Sequence, residues 1–138
     1  MTLQEFRIAH STVMEHYQFI EMHLEGIYAV LSKNGFIDGL ENVRFFSISK
    51  TIQMIQNQEK RLDIRVISDS EYEDLNDICQ RRNFWTHSCY TDMAFDSKTD
   101  GPKKEADIKQ LHHDIRAAEQ MREILLQKKI NLMHTSAL

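Results

Sequence analysis

The fold is decided by residues 3–32, which read LQEFRIAHSTVMEHYQFIEMHLEGIYAVLS. Apolar side chains recur through this stretch at gaps of three and four residues, at Phe6, Ala9, Val13, Tyr17, Ile20, Leu24, Ile27 and Leu31. That spacing places them on one face of a helix. The sequence therefore predicts a long amphipathic helix from about Leu3 to Ser32, ended by Asn34-Gly35.

Two more helices are predicted before residue 95. A helix over about residues 39–63 would bury a stripe made of Phe45, Ile48, Ile52 and Ile55. The next segment, residues 64–67, is apolar but too isolated to pair as a strand, so we interpret it as a connector that covers the core. Two overlapping capping boxes then predict the start of a third helix, which runs from about residue 70 to 94. These boxes are Ser68-x-x-Glu71 and Ser70-x-x-Glu73.

A fourth helix follows the one clear loop of the sequence. Residues 96–102 are polar and end in Gly101-Pro102, a pair typical of loops. Proline is tolerated in the first turn of a helix, so we predict a helix from near Pro102 to about Met133. The 138 residues include only 4 Gly and 1 Pro, fewer than tight turns between strands would need. The sequence therefore predicts an all-α fold, an up-and-down four-helix bundle, in a single domain over residues 1–138.

The charge balance excludes a strongly basic surface. The chain has 17 Lys plus Arg against 21 Asp plus Glu, a net charge of −4, so any contact with RNA has to come from a local patch. No stretch approaches the ~20 apolar residues of a membrane span, and no basic segment followed by an apolar run opens the sequence, so we expect no secretion leader. Cys79 and Cys89 lie about 15 Å apart along one predicted helix, too far to form a disulfide. We therefore expect a cytoplasmic protein with no membrane contact.

The third predicted helix contains a polar interruption, Arg82-Asn83-Phe84-Trp85-Thr86-His87. Its apolar stripe runs through Leu75, Ile78, Arg82, Trp85 and Cys89. An arginine in such a stripe requires a partner or a cleft, because a buried unpaired guanidinium is costly. In a regular helix Arg82 and His87 are about 140° apart around the axis. We therefore expect a two-fold dimer, with the third helix at the interface, to bring these two residues of both chains together.

This segment resembles the HEPN superfamily (higher eukaryote and prokaryote nucleotide-binding domains). Ribonucleases of that family carry an arginine, about four to six residues and then a histidine, often with asparagine directly after the arginine. Arg82-Asn83 followed by His87 fits this form, and Arg81 with His87 also falls within the looser spacing. The loose spacing alone is easily met by chance, and Asn83 makes the match more specific. The predicted helix order, with the motif late in the third helix, resembles the family across most of the chain.

The resemblance implies a dimeric, metal-independent endoribonuclease that needs no cofactor. Histidine can take and give a proton near neutral pH, so His87 would deprotonate a ribose 2′-OH or protonate the leaving 5′-oxygen. Arg82 would hold the scissile phosphate, and Asn83 would orient His87 or the phosphate. Attack by the 2′-OH leaves a 2′,3′-cyclic phosphate and restricts the substrate to RNA. The family further implies a toxin or anti-phage defence effector that an antitoxin or regulatory protein holds in check.

Three neighbouring residues complete the candidate site. Arg81 would attract the RNA backbone, while Thr86 and Tyr90 would support the site or contact RNA. Some toxins of the family are silenced by modification of a tyrosine two residues after the histidine. That position is Cys89 here and the tyrosine follows one residue later, so the resemblance does not extend to this modification.

Two other interpretations stay open. In the first, the chain is a non-catalytic HEPN-like helical module that binds a nucleotide or a protein partner and keeps Arg82 for recognition or dimer packing. In the second, it is a structural bundle in which Arg82 pairs with a carboxylate of the first or third helix. Trp85 is expected in the core rather than against a base.

The remaining histidines do not predict a metal site. His16 and His23 share a face of the first helix, and His112 and His113 are adjacent on the fourth. No Glu-x-x-His, Cys-x-x-Cys or His-Glu-x-x-His motif accompanies them. We therefore expect no bound metal.

Overall fold

The structure, a computed structural model, describes residues 1–136 and is all-helical. Its helices are α1 (Leu3–Leu31), α2 (Phe36–Val43), α3 (Ile48–Leu62), α4 (Asp69–Asn83), α5 (Cys89–Asp92) and α6 (Glu105–Ser136). A π-helical turn, Phe84–Ser88, joins α4 directly to α5. No β-strand forms within the described residues, where a single antiparallel bridge links Phe95 to Pro102. The predicted all-α class is confirmed.

The first helix forms as the sequence predicts. Thr2 caps it, because Thr2 Oγ1 accepts a hydrogen bond from the Glu5 N–H at 3.1 Å and Glu5 Oε2 accepts one from the Thr2 N–H at 2.8 Å. The helix ends at Leu31, and Gly35 then adopts a φ of 98°, in the left-handed region that favours glycine. The apolar stripe of α1 lies in the core.

The prediction of one helix over residues 39–63 is wrong. α2 ends at Val43, and a turn closed by a hydrogen bond from the Phe46 N–H to the Val43 carbonyl, at 3.0 Å, separates it from α3. The Ser47 side chain caps α3 by accepting a hydrogen bond from a backbone N–H of its first turn, which favours a new helix start here. Phe45, expected in the buried stripe, lies in the turn with 88% of its surface exposed.

The connector between α3 and α4 is held by a buried carboxylate. Glu59 accepts hydrogen bonds from the backbone N–H groups of Val66, at 2.8 Å, and Ile67, at 3.0 Å. Ile67 is fully buried, as expected of a connector that covers the core. The capping box Ser68-x-x-Glu71 forms and starts α4.

The last helix begins later than predicted. Pro102 does not lie in its first turn but in the preceding loop, where it bridges Phe95. Two backbone hydrogen bonds close this loop, Asp96 N–H to Gly101 O at 2.6 Å and Lys103 N–H to Ala94 O at 2.8 Å. Pro102 and Lys103, predicted to begin the last helix, are therefore paired with Phe95 and Ala94 across the loop instead.

Packing centres on α1. It packs most extensively along α6 and also contacts α2, α3, α4 and the π-helical turn. Trp85, in that turn, is 1% exposed, which confirms its predicted place in the core. Cys79 and Cys89 are both buried free thiols. Among the described helices, none is both long and apolar enough to cross a membrane.

Candidate functional site

The candidate motif spans the junction between α4 and the π-helical turn. Arg82 and Asn83 are the last residues of α4, and His87 lies within the turn. Hydrogen bonds in a π-helix close over five residues rather than four, so residues five apart come closer to one face than in an α-helix. The separation of about 140° between Arg82 and His87 holds for a regular α-helix, and the π-helical turn that contains His87 departs from that geometry. A dimer no longer follows from that angle, while π turns themselves occur frequently at functional sites.

Four exposed side chains lie along this segment: Asn83, Thr86, His87 and Tyr90. In the described part of the chain, the His87 ring makes no hydrogen bond, either to Asn83 or to another side chain. Thr86 lies against α1, with its Oγ1 3.9 Å from the Met14 sulfur. The His87 imidazole is thus open to solvent and able to exchange protons with a ligand.

Arg82 has a partner on α1. Its Nη2 lies 3.7 Å from Glu21 Oε2, and the two side chains are 29% and 26% exposed. Glu25, one turn further along α1, has a raised pKa because burial and the nearby Glu21 charge both disfavour its ionised form. A carboxylate on the first helix is the partner expected for Arg82 if the chain is a structural bundle. The contact is long and partly open to water, so the guanidinium remains accessible.

Arg81 points to the other side of the helix. Its Nε donates to Asp114 Oδ2 at 2.7 Å, and its guanidinium lies over the rings of Phe84 and Trp85, at 4.7 and 5.5 Å from their centroids. Asp114 is 4% exposed and also accepts a hydrogen bond from Trp85 Nε1 at 2.8 Å. This carboxylate neutralises Arg81 and fixes the start of the π-helical turn to α6. The predicted contact of Arg81 with RNA stays a prediction.

Asp114 and its partners extend the polar interior. Gln110 Nε2 donates to Asp114 Oδ1 at 2.8 Å and His113 Nδ1 lies 3.4 Å from the same oxygen, so four side chains surround the buried carboxylate. Burial, and secondarily the Asp114 charge, raise the pKa of Tyr17. Asp114 was not predicted from the sequence, although it lies three residues after Leu111 and four before Ala118 and therefore falls on the buried stripe of α6.

His10 of α1 contacts the π-helical turn directly. Its Nε2 lies 2.7 Å from the carbonyl oxygen of Trp85, and its ring centroid is 6.2 Å from that of Trp85. His10 was likewise not predicted from the sequence as part of the site. One signal was available, since His10 comes four residues after Phe6 and therefore flanks the buried stripe of α1.

Tyr90, in α5, belongs to a cluster of aromatic rings. Its ring stacks on that of Phe95, with centroids 5.7 Å apart and planes at 12°, and meets the edge of Phe6 at 5.7 Å and 88°. Phe6 is fully buried and also contacts Trp85, with centroids 6.4 Å apart. Tyr90 itself is 55% exposed. The solvent-exposed ring of Tyr90 therefore packs on Phe6, which in turn packs on Trp85, the buried residue of the π-helical turn.

Two further histidines of α1, His16 and His23, lie against basic groups. His16 Nδ1 is 3.3 Å from an Arg122 nitrogen, and the buried His23 Nδ1 is 2.9 Å from Lys129 Nζ. Burial, then the charges of Lys129 and Arg122, lower the pKa of His23 to about 4. Cationic neighbours disfavour a metal ion at either ring. Over residues 1–136, no group of three or more His, Cys, Asp or Glu side chains is placed to hold one.

The structure thus separates the predicted site residues into two groups. Asn83, Thr86, His87 and Tyr90 are exposed and Arg82 is paired only loosely, at 3.7 Å from Glu21, whereas Arg81 is bound by Asp114 at 2.7 Å. Comparison of the chain with protein-family models, with curated proteins and with solved structures gives no match of any of the three kinds, so its function is inferred from these side chains.

Proposed function

We propose that this chain is a metal-independent endoribonuclease of HEPN type. The observation that supports the proposal is the placement of a partly exposed guanidinium, Arg82, in the last turn of α4 and of an exposed imidazole, His87, within the π-helical turn that follows. Catalytic residues are commonly found at such turns. Asn83, directly between them in sequence and also exposed, adds a neutral hydrogen-bonding group.

The reaction uses these groups as follows. His87 removes the proton from a ribose 2′-OH, the 2′-oxygen forms a bond to phosphorus, and the bond from phosphorus to the 5′-oxygen breaks. The leaving 5′-oxygen takes up a proton from an imidazolium, so protons balance and a 2′,3′-cyclic phosphate remains. Arg82 stabilises the extra charge on the phosphoryl oxygens in the transition state through a bidentate contact.

A two-fold dimer would let two histidines share the proton transfers. One His87 would act as the base and its copy in the partner subunit as the acid, with both Arg82 side chains facing the phosphate. In the free protein Arg82 Nη2 lies 3.7 Å from Glu21 Oε2, and a bound phosphate would replace this carboxylate as the partner of Arg82. We further propose the role of a toxin or defence effector regulated by a partner protein, which rests on the family resemblance.

RNA cleavage in excess chelator tests the proposal. The purified protein is incubated with mixed-sequence RNA, and Arg82→Ala and His87→Ala are compared with Arg116→Ala and His112→Ala. The last two residues are exposed on α6, away from the site, and serve as matched controls. We expect cleavage with cyclic-phosphate ends from the wild type and both controls. The two site variants are expected to lose at least about 100-fold in rate.

Light scattering and urea unfolding of every variant separate a catalytic loss from a folding loss. Cleavage that persists in His87→Ala, or that requires a divalent metal, would show that the proposed chemistry is wrong. Intact RNA with wild-type protein at high concentration, free of any bound partner, would favour the second candidate function.

That second candidate is a non-catalytic helical module that binds a nucleotide or a protein partner. The contact between Arg82 and Glu21 and the net charge of −4 favour it, because both reduce the attraction of the site for a polyanion. In this case Arg82→Ala would weaken partner binding while His87→Ala would leave it unchanged.

A further inference from the structure

The ring of Tyr90 is fixed in position although more than half of its surface is open. Three rings surround it: Phe95 stacks on it at 5.7 Å and 12°, Phe6 meets it edge-on at 5.7 Å, and His10 lies 6.1 Å away at 56°. Exposed tyrosines ordinarily sample several rotamers. Here the surrounding rings restrict the side chain, so a ligand that stacks on it loses little additional conformational entropy.

The support beneath Tyr90 is also fixed. Phe95 lies in the loop that closes on itself through the bridge to Pro102, and Phe6 is fully buried in the core. Phe6 in turn contacts Trp85 of the π-helical turn. The exposed ring therefore keeps a constant position relative to the turn that carries His87.

The location of Tyr90 matches that of a subsite next to the cleaved phosphate. Tyr90 follows His87 by three residues, which is less than one helical turn. An aromatic face within one turn of a proton-transferring histidine suits a planar, uncharged group attached to the reacting sugar. Nucleobases stack on tyrosine in this way in proteins that bind single-stranded nucleic acid.

We infer that Tyr90, backed by Phe95, is a stacking platform for one unpaired nucleobase adjacent to the scissile phosphate. This inference rests on the proposed function, because the position of the base is defined by the phosphate at Arg82 and His87. It assigns a base-stacking contact to Tyr90. It also implies that the substrate is RNA in which the base at that position is unpaired and can unstack from its neighbours. A base held in a duplex cannot reach the ring.

Binding of an uncleavable RNA tests the platform independently of catalysis. The probe is a 2′-O-methyl oligonucleotide of about ten nucleotides, used intact and with a single abasic site moved along it. Wild type is compared with Tyr90→Ala, Tyr90→Phe and Phe45→Ala, the last being an exposed aromatic on the turn between α2 and α3. We expect Tyr90→Ala to bind about 5- to 150-fold more weakly, while Tyr90→Phe and Phe45→Ala bind as wild type does.

The abasic series provides the decisive comparison. One abasic position should weaken binding by wild type and have no effect on Tyr90→Ala, because the stacking partner is already missing. The platform is wrong if Tyr90→Ala binds and cleaves RNA normally, if no abasic position matters, or if the variant changes only the oligomeric state. Wild-type cleavage of unblocked RNA is measured in parallel. Binding that depends on Tyr90 without any cleavage would support the platform and refute the ribonuclease.

Discussion

His10 Nε2 lies 2.7 Å from the carbonyl oxygen of Trp85, and this hydrogen bond joins α1 to the π-helical turn. A carbonyl oxygen only accepts hydrogen bonds, so His10 carries its hydrogen on Nε2. Cys89 Sγ lies 3.4 Å from the same oxygen. Because a π turn displaces backbone groups from their regular partners four residues away, side-chain donors at this carbonyl stabilise the turn. The conformation around His87 thus depends on a residue far away in sequence.

Removing the donor at position 10 should loosen the turn. His10→Ala is expected to lower the free energy of unfolding by about 1–2 kcal/mol and to speed amide exchange over Phe84–Ser88. His10→Gln places an N–H at a similar reach and should restore most of the protection, although it lacks the aromatic ring. Urea unfolding and amide hydrogen exchange measure the two effects. Equal exchange in the alanine and glutamine variants would show that ring packing, and not the hydrogen bond, holds the turn.

The buried Asp114 should make a large contribution to stability. Asp114→Asn leaves similar volume but removes the charge that pairs with Arg81, and in either orientation its amide nitrogen replaces an oxygen that accepts hydrogen bonds. We expect a loss of about 3 kcal/mol in the free energy of unfolding, measured by urea denaturation. Glu119→Gln removes one charge from an exposed position of the same helix and should change stability by less than about 0.5 kcal/mol. A loss in Asp114→Asn no greater than in this control would contradict the role assigned to the carboxylate.

The His23–Lys129 pair predicts a loss of stability in acid. The pKa of His23 is lowered to about 4 in the folded protein, against about 6.5 for an unperturbed histidine. The unfolded chain therefore binds a proton that the folded chain excludes between these two pH values, so stability falls as pH drops from 6.5 to 4. The expected contribution is about 2 kcal/mol, less than the full shift implies because solvent screens the partly exposed Lys129.

His23→Gln removes this titration and keeps a hydrogen-bond acceptor for Lys129. Unfolding by urea at several pH values between 4 and 7 should show a shallower pH dependence for His23→Gln than for wild type. His112→Gln, at an exposed position of α6, should follow the wild-type curve. Parallel curves for wild type and His23→Gln would mean that other groups account for the acid sensitivity.

Local sequence signals predicted the elements that local chemistry determines. The α1 stripe and the Ser68 capping box both formed because each depends on residues within a few positions of one another. The break between α2 and α3 was missed because the apolar stripe continues through it, although Ser47 carried a capping signal. The apolar periodicity predicted one continuous helix, whereas the Ser47 cap begins a second helix within the same stretch.

The site was less predictable because its geometry depends on other helices. A π turn inserts a residue into a helix whose sequence shows ordinary apolar spacing, and its contacts come from His10 on α1 and Asp114 on α6. The adjacent arginines Arg81 and Arg82 look equivalent in sequence. They face different helices, since successive residues point about 100° apart, and so have different partners.

The contact between Arg82 and Glu21 predicts that Glu21 limits RNA binding. At 3.7 Å and partly exposed, the pair is weak, so its loss costs little stability but frees a guanidinium for phosphate. Glu21→Gln should tighten binding of a 2′-O-methyl oligonucleotide about two- to five-fold, and the gain should vanish in an Arg82→Ala background. Glu119→Gln, an equal charge change at an exposed position of α6, is the control for net charge. Weaker binding in Glu21→Gln would mean that the carboxylate instead holds Arg82 in its working position, and equal gains in both variants would reduce the effect to overall charge.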